Sequence, residues 1–191
     1  MEKVKILVFA GSLRKDALSK KFAKAAAELA KEQGADVNFI ELNDYQMPLY
    51  NEDLKAGGFD PKARGLKQLI YDSDAVIICT PEYNRSIPGA LKNAIDWISR
   101  KMDAEDPNNC LDTKPVLLLS SSPGAFGGIL ALFELRHALI DMKPLILGQQ
   151  MTLPMAGDAF DEAGMLKDEK RRAALESNVK KLLEITEKIK V

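Results

Sequence analysis

The chain has 191 residues, 46% of them hydrophobic and 29% charged, ordinary values for a folded globular protein and a length suited to one sizeable core rather than two. With 27 basic and 28 acidic side chains the formal net charge is -1, so no net positive field gathers nucleic acid or anionic lipid. The two cysteines form no CxxC pair, which argues against a zinc or thioredoxin-type redox site, and no apolar run approaches the roughly 20 residues that span a bilayer.

The N-terminal segment lacks the pattern of a secretory leader. Met1, Glu2 and Lys3 precede a short apolar run that Lys5 interrupts and Gly11 closes. A cytoplasmic protein without membrane insertion is the expectation. Residues 4–10 (VKILVFA) are nearly continuously apolar, the mark of a strand covered on both faces. Leu18, Phe22, Ala25, Ala26 and Leu29 then recur at three- and four-residue spacing, which predicts a helix with one buried stripe and with Lys20, Lys21 and Lys24 mostly off it; Gly34 is a stop signal. Residues 37–42 read as a second strand. Residues 43–61 form a long polar connection with Pro48, Gly57 and Gly58, a length usually functional or mobile. A helix follows over 62–71, a buried strand over 75–79 (AVIIC) broken by Thr80 and Pro81, and a helix over 89–100 with Leu91, Ile95 and Ile98 inward. After a loop at 103–113 come a strand at 116–119, a helix at 129–142, a fifth strand within 144–153 and an amphipathic helix at about 168–190.

This alternation, with no repeat and no dividing linker, predicts one α/β domain over 1–191: a parallel sheet wrapped by helices on both faces. Right-handed crossovers leave few topologies, of which the five-stranded order 2-1-3-4-5 is common, and ligands then bind beyond the carboxyl ends of the strands. Three loops, after strands one, three and four, become the candidate site.

In the first loop, residues 11–19, Gly11 leads to a helix N-terminus whose unpaired N–H groups favour an anion. Ser12 and Ser19 add hydroxyls, and Arg14 adds a planar cationic fork suited to phosphate. The loop is neither GxxxxGK[ST] nor GxGxxG, and the competing reading is an ordinary βα turn with serine caps. The second loop, residues 80–89, is stiffened by Pro81 and Pro88 and carries an aromatic face in Tyr83. Backbone N–H groups around Glu82, Tyr83 and Asn84 are candidate donors to a flat heterocycle. The competing reading is a turn into the next helix, with Asn84 or Ser86 near its cap. In the third loop, residues 120–128, Ser121 is followed by Gly124, Gly127 and Gly128, which let backbone approach a ligand closely or simply make a flexible turn.

Together these segments resemble the NAD(P)H-dependent FMN reductases of flavodoxin-like fold, among them bacterial quinone, azo-dye and chromate reductases. GSLRK at 11–15 is similar to the family's phosphate loop, PLYNEDL at 48–54 to its long loop, PEYNRSIPGALKNAIDW at 81–97 to its best signature, and SSPGAFGG at 121–128 to its third loop. The matches run in the family's order across about two-thirds of the chain. The resemblance implies a flavodoxin-like three-layer sandwich in which Gly11, Ser12, Arg14 and Ser19 hold the FMN phosphate. Pro81, Glu82, Tyr83 and Asn84 would line the isoalloxazine, with Ser121, Gly124 and Gly127 near the ribityl chain or ring edge. NADH or NADPH would stack on the flavin and give it hydride. A small acceptor such as a quinone, free flavin, azo compound or metal oxyanion would then take its place, a ping-pong exchange without a catalytic side chain. One departure stands out: where the family often has Ser-x-Asn, this chain has Ala17-Leu18-Ser19, which lowers phosphate affinity by about 1 kcal/mol for a lost hydrogen bond.

The remaining chemistry-bearing residues read as structural. His137, the one histidine, lies on a helix without convergent partners, and Cys79 ends an apolar strand as a small hydrophobe. Trp97 reads as a packing or interface residue rather than a flavin contact, and the family implies a homodimer or homotetramer with Trp97 and Phe133 among the candidate interface residues. Two other classes share the fold: a flavodoxin-type electron carrier, disfavoured by the near-zero charge, and a flavin-dependent regulatory module.

Overall fold

Leu7 and Val8 are neighbours in sequence and face opposite sides of one sheet, and this alternation organises the molecule. The computed structural model describes residues 2–190, so Met1 and Val191, the ends of the expected unit, lie outside it. In chain order the elements are β1 (Lys5–Ala10), α1 (Leu18–Glu32), β2 (Asp36–Glu41), α2 (Glu52–Ala56), α3 (Pro61–Tyr71), β3 (Ala75–Pro81), α4 (Gly89–Ile98), β4 (Pro115–Ser121), α5 (Ile129–Leu139), β5 (Leu145–Ile146), β6 (Met151–Leu153) and α6 (Glu169–Ile189). The sheet order is β2-β1-β3-β4-β5 with every pairing parallel, as the alternation predicts.

The apolar runs of β1, β3 and β4 exist because both faces are covered. Val8, Ile77 and Leu117 pack with Phe22 and Leu29 of α1 and with Leu175, Val179 and Leu182 of α6. Leu7, Val76 and Leu118 pack on the other side with Leu66 of α3, Leu91 and Ile95 of α4, and Leu132 of α5. Helix starts follow local chemistry. Asp60 accepts the Lys62 and Ala63 N–H groups ahead of Pro61, and Asp168 accepts the Arg171 N–H, so the final helix begins at the expected place.

Three features differ from the reading of the chain. The fifth strand is two pieces. β5 pairs with the start of β4 and β6 with its end; of the four residues between them only Leu147 is buried in the core, while Gly148, Gln149 and Gln150 offer no apolar side chain to either layer. Inside the long polar connection, α2 forms one turn behind an Asn51 cap, without a buried residue to give it a periodic signal. Two lysines are also buried. Lys20 lies 2.6 Å from Glu41 Oε2, inside rather than on the solvated side. Lys67 and Asp106 have side chains 0% exposed: Lys67 Nζ donates to Asp106 Oδ2 (2.6 Å), Arg100 O (2.6 Å) and Asn108 O (2.9 Å). Asp106 also accepts the Tyr71 hydroxyl (2.5 Å) and the Met102 and Asn108 amides, which fastens the α4–β4 connection to α3. No helix among the described residues is long and apolar enough to cross a membrane.

Candidate functional site

Because β1, β3 and β4 are adjacent and parallel, their carboxyl ends share one rim. Ala10 stands beside Cys79, Pro81 stands beside Ser121, and the Gly11 N–H donates to Cys79 O at 2.9 Å. The three expected loops therefore come together, and each residue's part can be read from its contacts.

At the first loop, Ala17 stands at the N-cap of α1 in extended backbone with no side-chain cap, and no acidic residue occupies the first turn. The Lys20 N–H donates back to Ala17 O (3.0 Å), which leaves the Leu18 and Ser19 amides for an anion. Ser12 is buried and its Oγ accepts the Arg14 N–H at 3.2 Å, leaving its own O–H to donate. Ser19 is fully buried and its Oγ has no partner in the protein. Arg14 and Lys15 are exposed, whereas Lys20 is committed to Glu41, so this turn has two cations with heads available, of which Arg14 carries the planar fork. At Gly11 a Cβ would lie 2.6 Å from Leu91 Cδ2, so its bareness admits the close approach of α4.

In the second loop Tyr83 and Ser86 exchange both backbone hydrogen bonds (2.9 and 3.0 Å) around Asn84 (φ 52°) and Arg85 (φ 65°), a type I′ turn. The Tyr83 N–H is consumed within the turn, so of the three expected amide donors it is withdrawn. The Tyr83 ring is exposed at the rim. Neither Asn84 nor Ser86 caps α4, whose N-cap is Pro88. The Glu82 carboxylate does not point to open space: Oε2 accepts the Leu130 and Ala131 N–H groups of α5.

In the third loop Ser121 is buried and its Oγ, like that of Ser19, is unpartnered. Gly124 is exposed and its Cβ position meets only Ser122 Oγ, while its carbonyl accepts the Gly127 and Met155 N–H groups (3.3 and 3.2 Å). Gly127 (φ 63°) and Gly128 (φ 88°) serve the chain itself. A Cβ on Gly127 would lie 2.6 Å from Pro154 N, and one on Gly128 would lie 3.2 Å from Ser120 Cβ.

Asn93 and Trp97, one turn apart on α4, tie down the long loop, a part that residue-by-residue reading missed for Asn93 and read only as packing or interface for Trp97. Asn93 Oδ1 accepts the Tyr50 N–H (2.8 Å), its Nδ2 donates to Pro48 O (3.0 Å), and the Trp97 indole N–H donates to the same carbonyl (2.8 Å). Tyr50 and Phe59 pack edge-on against the indole. This clamp holds the long loop beside the first one, around a cavity of about 180 Å³ lined by Leu13, Tyr45, Met47, Leu49 and Asn93. The available signal was the i, i+4 spacing of two hydrogen-bonding side chains on a helix facing an unstructured stretch. Of the two roles expected for Trp97, packing or interface, its 1% exposure shows packing, whereas Phe133 is 55% exposed. The thiols are out of play: burial pushes Cys79 upward, and burial pushes Cys110 up to about 12, so neither is a thiolate near neutrality.

Residues 4–158 match the NADPH-dependent FMN reductase family. The chain belongs to that family. It is similar over most of its length to an NAD(P)H-dependent FMN reductase of Pseudomonas aeruginosa, 35% identical over 181 residues (94% of this chain, 93% of the relative). A quinone reductase of Pseudomonas putida is 39% identical over 167 residues (87% and 86%). Among solved structures, FerB, a flavoenzyme NAD(P)H:(acceptor) oxidoreductase from Paracoccus denitrificans, superposes with a TM-score of 0.83 at 34% identity, covering 97% of this chain and 98% of that one. Membership makes the chain an FMN-dependent oxidoreductase that draws on NAD(P)H, on a flavodoxin-like fold. Its own residues fit the cofactor. Buried polar atoms are nearly always hydrogen-bonded, and the two orphaned hydroxyls, Ser19 and Ser121, belong to the first and third of the loops a family FMN would span.

Proposed function

We propose that the rim binds FMN and that the whole chain acts as a single-domain NAD(P)H-dependent reductase of small acceptors, quinones first, in a two-step exchange. The observation that carries this reading is the pair of buried, unpaired hydroxyls beside an uncapped α1. The α1 amides, the Ser12 and Ser19 hydroxyls and the Arg14 guanidinium hold the phosphate. The Ser121 hydroxyl and the exposed backbone at Gly124 meet the ribityl chain or ring edge. Pro81 and the turn at Tyr83 and Asn84 form the wall for the ring, and the turn's reciprocal hydrogen bonds keep that wall stiff. FMN, when bound, supplies hydride acceptance from the nicotinamide and its delivery onward; the protein contributes placement and exclusion of water. Ala17 in place of a hydroxyl residue leaves Ser19 with a larger share of phosphate recognition.

The test starts from apoprotein titrated with FMN, read by quenching of flavin fluorescence. Saturable binding is expected, and Ser19→Ala should weaken it about 3- to 10-fold, the range for one lost hydrogen bond. NADPH or NADH should bleach the bound flavin, and a quinone should restore its colour. Absence of saturable binding at FMN concentrations far above those of the protein sinks the reading. Binding without bleaching by either nicotinamide would leave an electron carrier.

The oligomer we propose is a homodimer or homotetramer built on α5. Phe126, Leu130, Phe133 and Ile140 are exposed at spacings that keep them along one side of that helix and its lead-in, an apolar stripe too long for a lone surface. Sedimentation should show no monomer at micromolar concentration, and Phe133→Glu should release it; a wild-type monomer refutes the assembly. The two buried free thiols suit a reducing compartment, and we place the enzyme in the cytoplasm.

A further inference from the structure

Helix α5 begins without a cap of its own. Gly128 stands at its N-cap in left-handed backbone, offers no side chain, and no acidic residue follows in the first turn. The missing acceptor comes from the second loop. Glu82 Oε2 takes the Leu130 N–H at 3.1 Å and the Ala131 N–H at 3.2 Å, across 48 and 49 residues of sequence. Glu82 follows Pro81, the last residue of β3, and precedes the Tyr83–Ser86 turn. One carboxylate thus joins the second loop to the helix into which the third loop leads. The third loop carries the tie onward, because Ser120 Oγ donates to Gly127 O (2.9 Å) and Gly127 abuts the Leu153–Pro154 backbone.

The charge matters as well as the reach. A helix N-terminus carries about +0.5 of an elementary charge, so a full carboxylate against it leaves this seam of the rim net negative. Reduction of a flavin adds two electrons and one proton, and so one net negative charge, to the ring. A negative seam opposes that change and a neutral amide in the same place does not.

We propose that Glu82 is a positioning residue that acts on the flavin through α5 rather than as a side-chain contact: it holds the second and third loops in register, and its charge keeps the bound flavin biased toward the oxidised form. This rests on the FMN reading of the rim. Three variants separate its parts. Glu82→Gln keeps the reach and removes the charge, Glu82→Asp keeps the charge and loses the reach, and Glu82→Ala loses both. The readouts are the Kd of each apoprotein for FMN and the midpoint potential of the bound flavin by reductive titration, with far-UV circular dichroism checking the fold.

Glu82→Asp and Glu82→Ala are expected to raise the Kd at least about tenfold, with Glu82→Gln within about threefold of wild type. Glu82→Gln should also raise the potential by about 30 mV or more, the equivalent of a tenfold preference for reduced flavin in a two-electron couple. Wild-type apoprotein that does not bind FMN ends the reading of the rim itself. Tight wild-type binding that the aspartate variant matches, or a glutamine variant with an unchanged potential, overturns the role of Glu82 alone. Should the alanine variant not fold, the glutamine and aspartate pair decides.

Discussion

Replacing Asp106 by alanine is expected to destabilise the fold by about 3–5 kcal/mol, the range for stranding one partner of a buried ion pair. Lys67 Nζ would keep two carbonyl acceptors, Arg100 O and Asn108 O, but no counter-charge, and the Tyr71 hydroxyl and two amides would lose their acceptor. Replacing both charges together, Lys67→Met with Asp106→Leu, should recover the part of the loss that comes from the uncompensated charge, leaving the cost of the unpaired Tyr71 hydroxyl, amides and carbonyls. Equilibrium unfolding in urea at pH 7 measures both, and a double variant as weak as Asp106→Ala would contradict the account. The pH dependence has a definite sign. Burial pulls the Asp106 carboxyl upward, but the Lys67 ammonium, the Tyr71 hydroxyl and the Met102 and Asn108 amides outweigh it and hold the group well below the usual carboxylate range. An unfolded aspartate titrates near ~3.9, so the unfolded chain takes up this proton first. The contribution is whole above about pH 5 and drains as acid is added below that. The gap between wild type and Asp106→Ala should therefore narrow toward pH 3.

Gly127→Ala is the second substitution expected to act strongly, at about 3 kcal/mol. Its φ of 63° costs an L-residue about 1–2 kcal/mol, and overpacking adds about 1–3 kcal/mol. The obstacle is main chain, Pro154 N at 2.6 Å and Leu153 C at 2.8 Å, which cannot swing aside as a side chain would. Gly124→Ala in the same loop makes a matched control. It has no positive φ and meets only Ser122 Oγ, at 3.4 Å, so its stability should stay within about 0.5 kcal/mol of wild type. Equal urea midpoints for the two variants would show that the third loop does not need its approach to β6.

How much of this was legible in the chain depended on the kind of signal. The strands β1, β3 and β4 announce themselves because burial on both faces demands continuous apolar runs, and their order follows from connection rules. The fifth strand was visible only as a region. Its interruption at Gly148, Gln149 and Gln150 is a tertiary fact about where β4 has partners to offer. Lys67 could not be found by inspection: lysines are mostly exposed, and its counter-charge lies 39 residues away. The gathering of three loops at one rim was legible, and within it the hydroxyls of Ser19 and Ser121 are buried without a protein partner. The glycines were harder. Gly127 was read as a place for backbone to approach a ligand, and the contact the fold shows there is with the Leu153–Pro154 main chain. Glu82 shows the same limit, since a flat-ligand motif cannot reveal that its acidic member looks away toward another helix.

The broken outer strand has a consequence for how this protein behaves in a crowded solution. β5 contributes two residues and β6 three, so an extended segment arriving at that border meets two short stubs with a gap between them. Such a border makes a poor template for fibrillar growth, which feeds on long unpaired strands. That border therefore offers little to hydrogen-bonded strand addition, in contrast to the opposite one, where β2 presents six residues.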